Sequence, residues 1–338
     1  MSRIVTGLRA LEPFVLSKEA LLAAEEYPFK TTEYYLSLVR TFSPDDPVFR
    51  QIVPSDDEVA SVHSPDPFLE EEKMSVPRLI HRYPQRAVFL ADNFCASNCR
   101  HCMRKRIWKE KPSSASPDEV KEAADYCRHN GIEDIIISGG DPFLLSPGLL
   151  GEMIALFRER GGLKVIRVGT RLPVVDPGRV TGSLLRELSK RGPLYIMLHY
   201  NHPAEWTPQG DALLRRMREN GLILMNQSVL LKGVNDDASV LRKLFMGLLE
   251  RGVKPYYIHQ CDLVRGVTHF WVDLSRGVAL LKALQGHISG LALPYLAVDL
   301  PGGLGKVLLG PSDTLSKEGG KYRLRTYTGR EVLYGIES

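Results

Sequence analysis

Three cysteines crowd into eight residues as Cys95-x3-Cys99-x2-Cys102, and no second CxxC accompanies them. Structural zinc normally takes four protein ligands. Three soft thiolates converging from one loop suit a four-iron cluster with one iron left open to a substrate, whereas an electron-transfer cluster is usually ligated fully by protein. The other two cysteines, Cys127 and Cys261, stand alone. An odd total grouped in this way fits metal ligation in a reducing compartment better than disulfides.

Other segments carry chemistry only in company. Ser138-Gly139-Gly140-Asp141-Pro142 is a glycine turn where backbone can approach a ligand closely. The segment from Asp299 to Lys306, DLPGGLGK, reads as a flexible glycine loop ending in a lysine. It is not a phosphate-binding P-loop, because the GxxxxGK spacing fails and Val307 stands where Ser or Thr should follow. A lysine forms an imine only when its amine is neutral, which burial or nearby cations can arrange. Arg82-Tyr83-Pro84-Gln85-Arg86 offers two guanidinium forks of the kind that suit a phosphate dianion. Asp262 and Asp299 are two acids that could balance one buried cation. Taken singly, the glycine turn reads as a steric feature, Lys306 as a surface lysine, Arg82 to Arg86 as a solvated turn, either aspartate as a loop hydrogen-bond acceptor, and His199 and Gln227 as hydrogen-bonded structural side chains.

These residues need elements to position them. From Ala87 onward, short β-rich runs alternate with amphipathic segments of helical length, the signature of βα units and a parallel sheet. Strands are expected at 87–91, 134–138, 165–169, 194–199, 222–228 and 255–260, with a last one near 292–298. Helices are expected at 117–128, 147–160, 182–190, 208–220, 238–251 and 275–289. The fold class is α/β, a partial (β/α)6-type TIM barrel. Residues 1–80 form an N-terminal wrap with a helix around Thr31 to Val39, residues 81–305 the barrel, and residues 306–338 a C-terminal segment ending in a β-hairpin, Tyr322–Tyr327 with Glu331–Ile336. Cys95 to Cys102, Ser138 to Asp141, His199, Gln227, Asp262 and Asp299 all fall at or just after expected strand ends, the end of such barrels that carries the active site.

The chain has 338 residues, with 43% hydrophobic and 25% charged, a soluble globular composition. No stretch approaches the roughly 20 apolar residues of a spanning helix, and the N-terminus lacks a signal-peptide core, so a cytoplasmic location is expected. The net charge of +4 comes from 44 basic and 40 acidic residues without a long basic run, which argues against nucleic-acid binding.

The segment Cys95-Ala-Ser-Asn-Cys99-Arg-His-Cys102-Met-Arg104-Lys-Arg resembles the cluster loop of radical S-adenosylmethionine (SAM) enzymes, and in particular that of the lysine 2,3-aminomutase family. The resemblance runs from about Tyr34 (EYYLSLV) through DDPVFRQ, HRYPQR, SGGDP, NHP, NQSVLL, QCDL, GHISG and VDLPGG to the terminal hairpin. It implies a [4Fe-4S] cluster on Cys95, Cys99 and Cys102, SAM against Ser138, Gly139, Gly140, Asp141, His199 and Gln227, and pyridoxal 5′-phosphate (PLP) on Lys306 with Arg82, Tyr83 and Arg86 around it. By the same resemblance Arg104 holds the substrate carboxylate, while Asp262 and Asp299 grip the distal ammonium of lysine. The implied reaction is an isomerisation moving the 2-amino group to C3, L-lysine to β-lysine.

The implied partners are an amino acid substrate, a reducing electron donor such as flavodoxin or ferredoxin, and further copies of the chain in a homo-oligomer, with neither nucleic acid nor membrane. Met103, Leu304, Val307 and His259 depart from residues usual in the family, His259 replacing a tyrosine, and no cysteines for a C-terminal zinc follow the hairpin. These departures bear on the substrate, and a lysine of elongation factor P, arginine or ornithine are alternatives. A non-catalytic iron–sulfur or zinc module is the alternative from another class.

Overall fold

The computed structural model describes residues 1–12, 14–59, 62–310, 314–318, 321–326 and 328–334. The N-terminal part contributes two short antiparallel strands, β1 (Ile4–Val5) and β2 (Thr31–Thr32), and three helices, α1 (Lys18–Glu26), α2 (Glu33–Leu36) and α3 (Phe49–Ile52). The helix expected at 31–39 is therefore only one turn. Its first two residues pair with β1 instead, and the Thr32 hydroxyl caps the turn by accepting the Tyr35 N–H at 3.0 Å.

Ten strands form one curved sheet in chain order: β3 (Met74–Val76), β4 (Leu79–Tyr83), β5 (Arg86–Asp92), β6 (Asp134–Gly139), β7 (Val165–Thr170), β8 (Leu194–Leu198), β9 (Ile223–Leu230), β10 (Lys254–Gln260), β11 (Tyr295–Leu300) and β12 (Gly305–Leu309). Neighbours from β5 to β11 pair parallel. The crossovers are carried by α4 (Pro117–His129), α5 (Pro147–Glu159), α7 (Gly182–Ser189), α8 (Pro208–Glu219), α9 (Ala238–Glu250) and α10 (Leu274–Leu284), with the short α6 (Leu172–Val175) after β7. This is the expected partial (β/α) barrel. The helices start where the sequence says they should: Ser116 and Glu119 form a capping box ahead of Pro117, and Ser146, Thr181, Thr207, Asp237 and Asp273 each cap the next.

The strands alternate. Phe89, Ile135, Ile137, Ile166 and Val168 are fully buried beneath the helices, as the Phe89–Phe157 ring contact at 5.0 Å illustrates. Each such side chain contributes about 1.5–3 kcal/mol of burial free energy. Their neighbours Val88, Ile136, Arg167 and Gly169 point the other way and line an internal cavity. Cys127 belongs to the helix-side packing, where burial pushes its thiol up to about 12.

Three features differ from expectation. The breaks placed at 80/81 and 305/306 fall inside β4 and β12, because antiparallel strands extend the sheet at both edges. The last parallel strand begins at Tyr295 rather than 292, beyond Pro294, and α10 stops at Leu284. The terminal hairpin forms from β14 (Lys321–Arg325) and β15 (Glu331–Tyr334), with β13 (Thr314–Glu318) as a third strand; Tyr327 and Ile336 lie outside the described residues. Among the described residues no helix is long and apolar enough to cross a membrane.

Candidate active site

A cavity of about 380 Å³ occupies the barrel interior, within the roughly 300–1,000 Å³ range of small-molecule sites. Every candidate cluster, cofactor and substrate residue lines it: Arg82, Tyr83 and Arg86 from the β4–β5 turn, the three clustered cysteines and Arg104 from the loop after β5, Ser138 to Asp141, His199, Gln227, Asp262, Asp299 and Lys306. Gln227 lies within β9 rather than at its end, because that strand runs on to Leu230.

The cysteine loop is held by the N-terminal part. Asn98 donates its backbone N–H to Lys30 O and its side chain to Pro28 O, both at 2.8 Å. Arg100 donates its backbone N–H to Gln51 O and its guanidinium to Tyr27 O at 2.9 Å and to Glu58. The wrap is thus what shapes the loop. Burial pushes the Cys95 thiol well up and the Cys102 thiol to about 11, so a metal must displace protons to bind. Among the described residues no three His, Cys, Asp or Glu side chains are placed to hold a single ion. Thiols serving separate irons of one cluster need not converge on a point, and three soft donors on one cavity wall fit that group.

The glycine turn is a cradle. Gly139 has φ +118, and a Cβ there would lie 2.1 Å from Asp92 O; at Gly140 it would lie 2.1 Å from Phe94 O. Only glycines let β6 end so close to the cysteine loop. Asp141, expected against a cofactor, has its carboxylate otherwise engaged. It accepts from Thr170 Oγ1 (2.6 Å), Phe143 N (3.1 Å), Arg171 N and Leu172 N (both 2.8 Å), and so braces the turn after β7.

His199 and His101 face the cavity as neutral imidazoles. Burial, then the Arg171 charge, takes His199 down to about 3. The same causes lower His101, whose Nε2 lies 3.3 Å from both Arg171 Nη1 and Asn201 Nδ2. Those donors assign the proton to Nδ1, a buried donor on the cavity wall without a partner among the described residues. Arg82 Nε is a second such orphan; its Nη2 donates to Phe68 O at 3.2 Å. Buried unpaired donors beside a cavity are what an anionic or polar ligand satisfies.

Lys306 is on β12, not in a loop, and its Nζ lies 2.5 Å from Asp299 Oδ2 and 3.2 Å from His259 Nδ1. Burial lowers His259, and Lys306 adds to the effect. Asp262 is raised to about 7, first by burial and then by Asp299. Arg104 departs from expectation in part: Nε and Nη2 clasp Glu70 at 3.0 and 2.7 Å, using two of its five donors. Glu70, Arg171, His101 and His259 are cavity residues that were not assigned roles from sequence. Arg171 follows a strand end, the same signal that marked the others, whereas Glu70 was hidden in an acidic run. Of the departures from the family pattern, Met103 and His259 line the cavity; Leu304 and Val307 do not and are exposed.

Residues 92–244 match the model of the radical SAM superfamily and residues 281–335 that of lysine-2,3-aminomutase. The L-lysine 2,3-aminomutase of Methanococcus maripaludis is 40% identical over 92% of this chain and 73% of its own. That of Clostridium subterminale is 39% identical over 90% and 74%. The glutamate 2,3-aminomutase of Clostridioides difficile is 33% identical over 98% and 78%.

Proposed function

The chain belongs to the lysine 2,3-aminomutase family of radical SAM enzymes, and on that premise we propose that it is an isomerase moving the 2-amino group of a cationic amino acid to C3, L-lysine to β-lysine. One observation carries the reading: thiol loop, glycine cradle, Lys306 and the Asp262–Asp299 pair share one cavity. When bound, the [4Fe-4S] cluster with SAM would supply a 5′-deoxyadenosyl radical, and PLP would supply the aldehyde carbon that carries the migrating nitrogen.

The protein's part is to hold and orient. Cys95, Cys99 and Cys102 ligate the cluster. The backbone of Ser138, Gly139 and Gly140, with His199, Gln227 and the His101 Nδ1 donor, lines the SAM side. Arg82 and Arg86 face the phosphate, Tyr83 stacks beneath Arg86 with 4.2 Å from its ring to the guanidinium carbon, and Lys306 provides the amine. Asp262 and Asp299 take the distal ammonium, and two carboxylates about one buried cation favour lysine over glutamate. Arg104, fixed by Glu70, turns its remaining donors to the substrate carboxylate. We also assign a one-electron donor protein and a homo-oligomeric state to this reading.

The test is an anaerobic reaction of reduced, cluster-loaded protein with SAM, PLP and a panel of lysine, ornithine, arginine and glutamate, with product identification. β-Lysine as the preferred product supports the assignment. A preference for glutamate, or no β-amino product, overturns it.

A further inference from the structure

Arg171, directly after β7, joins parts of the chain that are far apart in sequence. Its backbone N–H is fixed by Asp141, and its guanidinium reaches two ways. Nη1 donates to Cys99 Sγ at 2.8 Å. Nη2 donates to Glu205 Oε1 and Gln51 Oε1 at 2.8 Å and to Tyr35 OH at 2.9 Å. Its side chain is 10% exposed and that of Glu205 0%, so little water screens either charge. Cys102 receives a weaker contact, the neutral Arg104 backbone N–H at 3.4 Å.

We propose that Arg171 is a positioning residue that sets the reduction potential of the cluster held at Cys99, with Glu205 as its counterweight. This rests on the reading that the three thiols hold a [4Fe-4S] cluster. A cluster core with three thiolates is already net negative when oxidised. Reduction adds one electron, taken from a one-electron donor protein of the flavodoxin or ferredoxin class, and breaks no bond. A cation hydrogen-bonded to a ligand sulfur stabilises the more negative, reduced state the more strongly, and so moves the potential positive. The Glu205 carboxylate on the far side of the same guanidinium cancels part of that field. Removing the cation and removing the anion therefore shift the potential in opposite directions. A role confined to packing would not reverse sign.

The experiment compares wild type, Arg171→Gln, Arg171→Lys and Glu205→Gln after anaerobic reconstitution. Iron and sulfide per chain are measured first, then the midpoint potential by redox titration with titanium(III) citrate and mediators, read by electron paramagnetic resonance of the reduced cluster. Arg171→Gln should move the midpoint negative, Glu205→Gln positive, and Arg171→Lys should stay between Arg171→Gln and wild type. Cluster-loaded variants with the wild-type potential, or both neutralising variants moving the same way, would overturn the proposal. Should Arg171→Gln fail to retain a cluster, Glu205→Gln decides alone: a positive shift supports, a null or negative shift refutes. Wild-type protein that takes up no cluster would instead sink the underlying reading of the cysteine loop.

Discussion

Lys306 and Asp299 are register partners across antiparallel β12 and β11, and their side chains meet with Nζ 2.5 Å from Oδ2. Burial acts to raise the Asp299 carboxyl, but the His259 hydrogen bond and the Lys306 charge outweigh it and hold it well below the usual range. One carboxylate thus sits where it can serve two cations, the lysine of the protein and the ammonium of a substrate. Lys306→Ala should leave no phosphopyridoxyl mass on the β12 peptide after borohydride treatment of PLP-loaded protein, where wild type carries it at position 306. Asp299→Asn should retain that label and lower kcat/KM for lysine by roughly a hundredfold, about 3 kcal/mol for a buried charge pair truncated on one side. A label elsewhere on wild type would contradict the assignment of Lys306.

Asp262 titrates near 7 in the free protein because burial and the nearby Asp299 both disfavour its anion. A cationic substrate binds the ionised form. Affinity should therefore be flat above about pH 7 and fall towards tenfold per pH unit below it, as protonation competes with the ammonium. Asp262→Asn should weaken binding and abolish this acid limb. KM for lysine measured from pH 5.5 to 8.5 checks both, and a profile unchanged in the variant would assign the limb to another group.

The parallel strands, their helices and many of the polar cavity residues were legible because the chemistry sits at strand ends, where an apolar run gives way to a polar residue. The edge strands were not. β4 is LIHRY, with only two apolar residues leading a polar end, and β12 follows two glycines that read as a loop. Their pairing is fixed by what β5 and β11 offer as partners, not by local pattern. Glu70 was illegible for a similar reason: its run, LEEEK, looks solvated, and only the fold turns this one carboxylate inward onto Arg104 and Arg106.

Glu70 makes a separable prediction. Burial raises its carboxyl, but Arg104 and Arg106 overcome that and bring it to about 2, so it is a fixed anion at working pH. Glu70→Gln keeps the shape and loses the charge-assisted clasp that aims Arg104. KM for the amino acid should rise about tenfold with a smaller change in kcat, the mark of a group that orients binding rather than reacting. A variant whose kcat alone falls would place Glu70 in the chemistry instead.

The cysteine loop gives the plainest readout. Replacing Cys95, Cys99 or Cys102 singly with Ala should cost the reconstituted protein most of its iron and its reduced-state resonance, while Cys127→Ala and Cys261→Ala should keep both, since those two thiols are buried in apolar packing and do not line the cavity. Iron analysis beside circular dichroism separates loss of ligand from loss of fold. Iron retained in full by Cys99→Ala would exclude Cys99 from the cluster.

The loop also depends on an ion cluster outside the cavity lining. Glu58 accepts from Arg100, which lies between Cys99 and Cys102, and from Lys105, and the side chains of all three are at most 1% exposed. Removing the anion would leave two cations buried without it, a change that costs about 3–5 kcal/mol. Glu58→Gln should accordingly lower the denaturation midpoint and loosen iron retention together. The pH dependence has a definite sign. Burial raises the Glu58 carboxyl, but the charges and hydrogen bonds of Arg100 and Lys105 more than reverse this, so its folded-state value lies below its unfolded one. The stability it contributes is fully present above the ordinary glutamate range, and is lost as pH falls through that range to the depressed folded value. Denaturant unfolding between pH 7 and pH 3 should show wild type losing more stability than Glu58→Gln, the two curves converging in acid. Parallel curves would mean that Glu58 is not what ties the wrap to the loop.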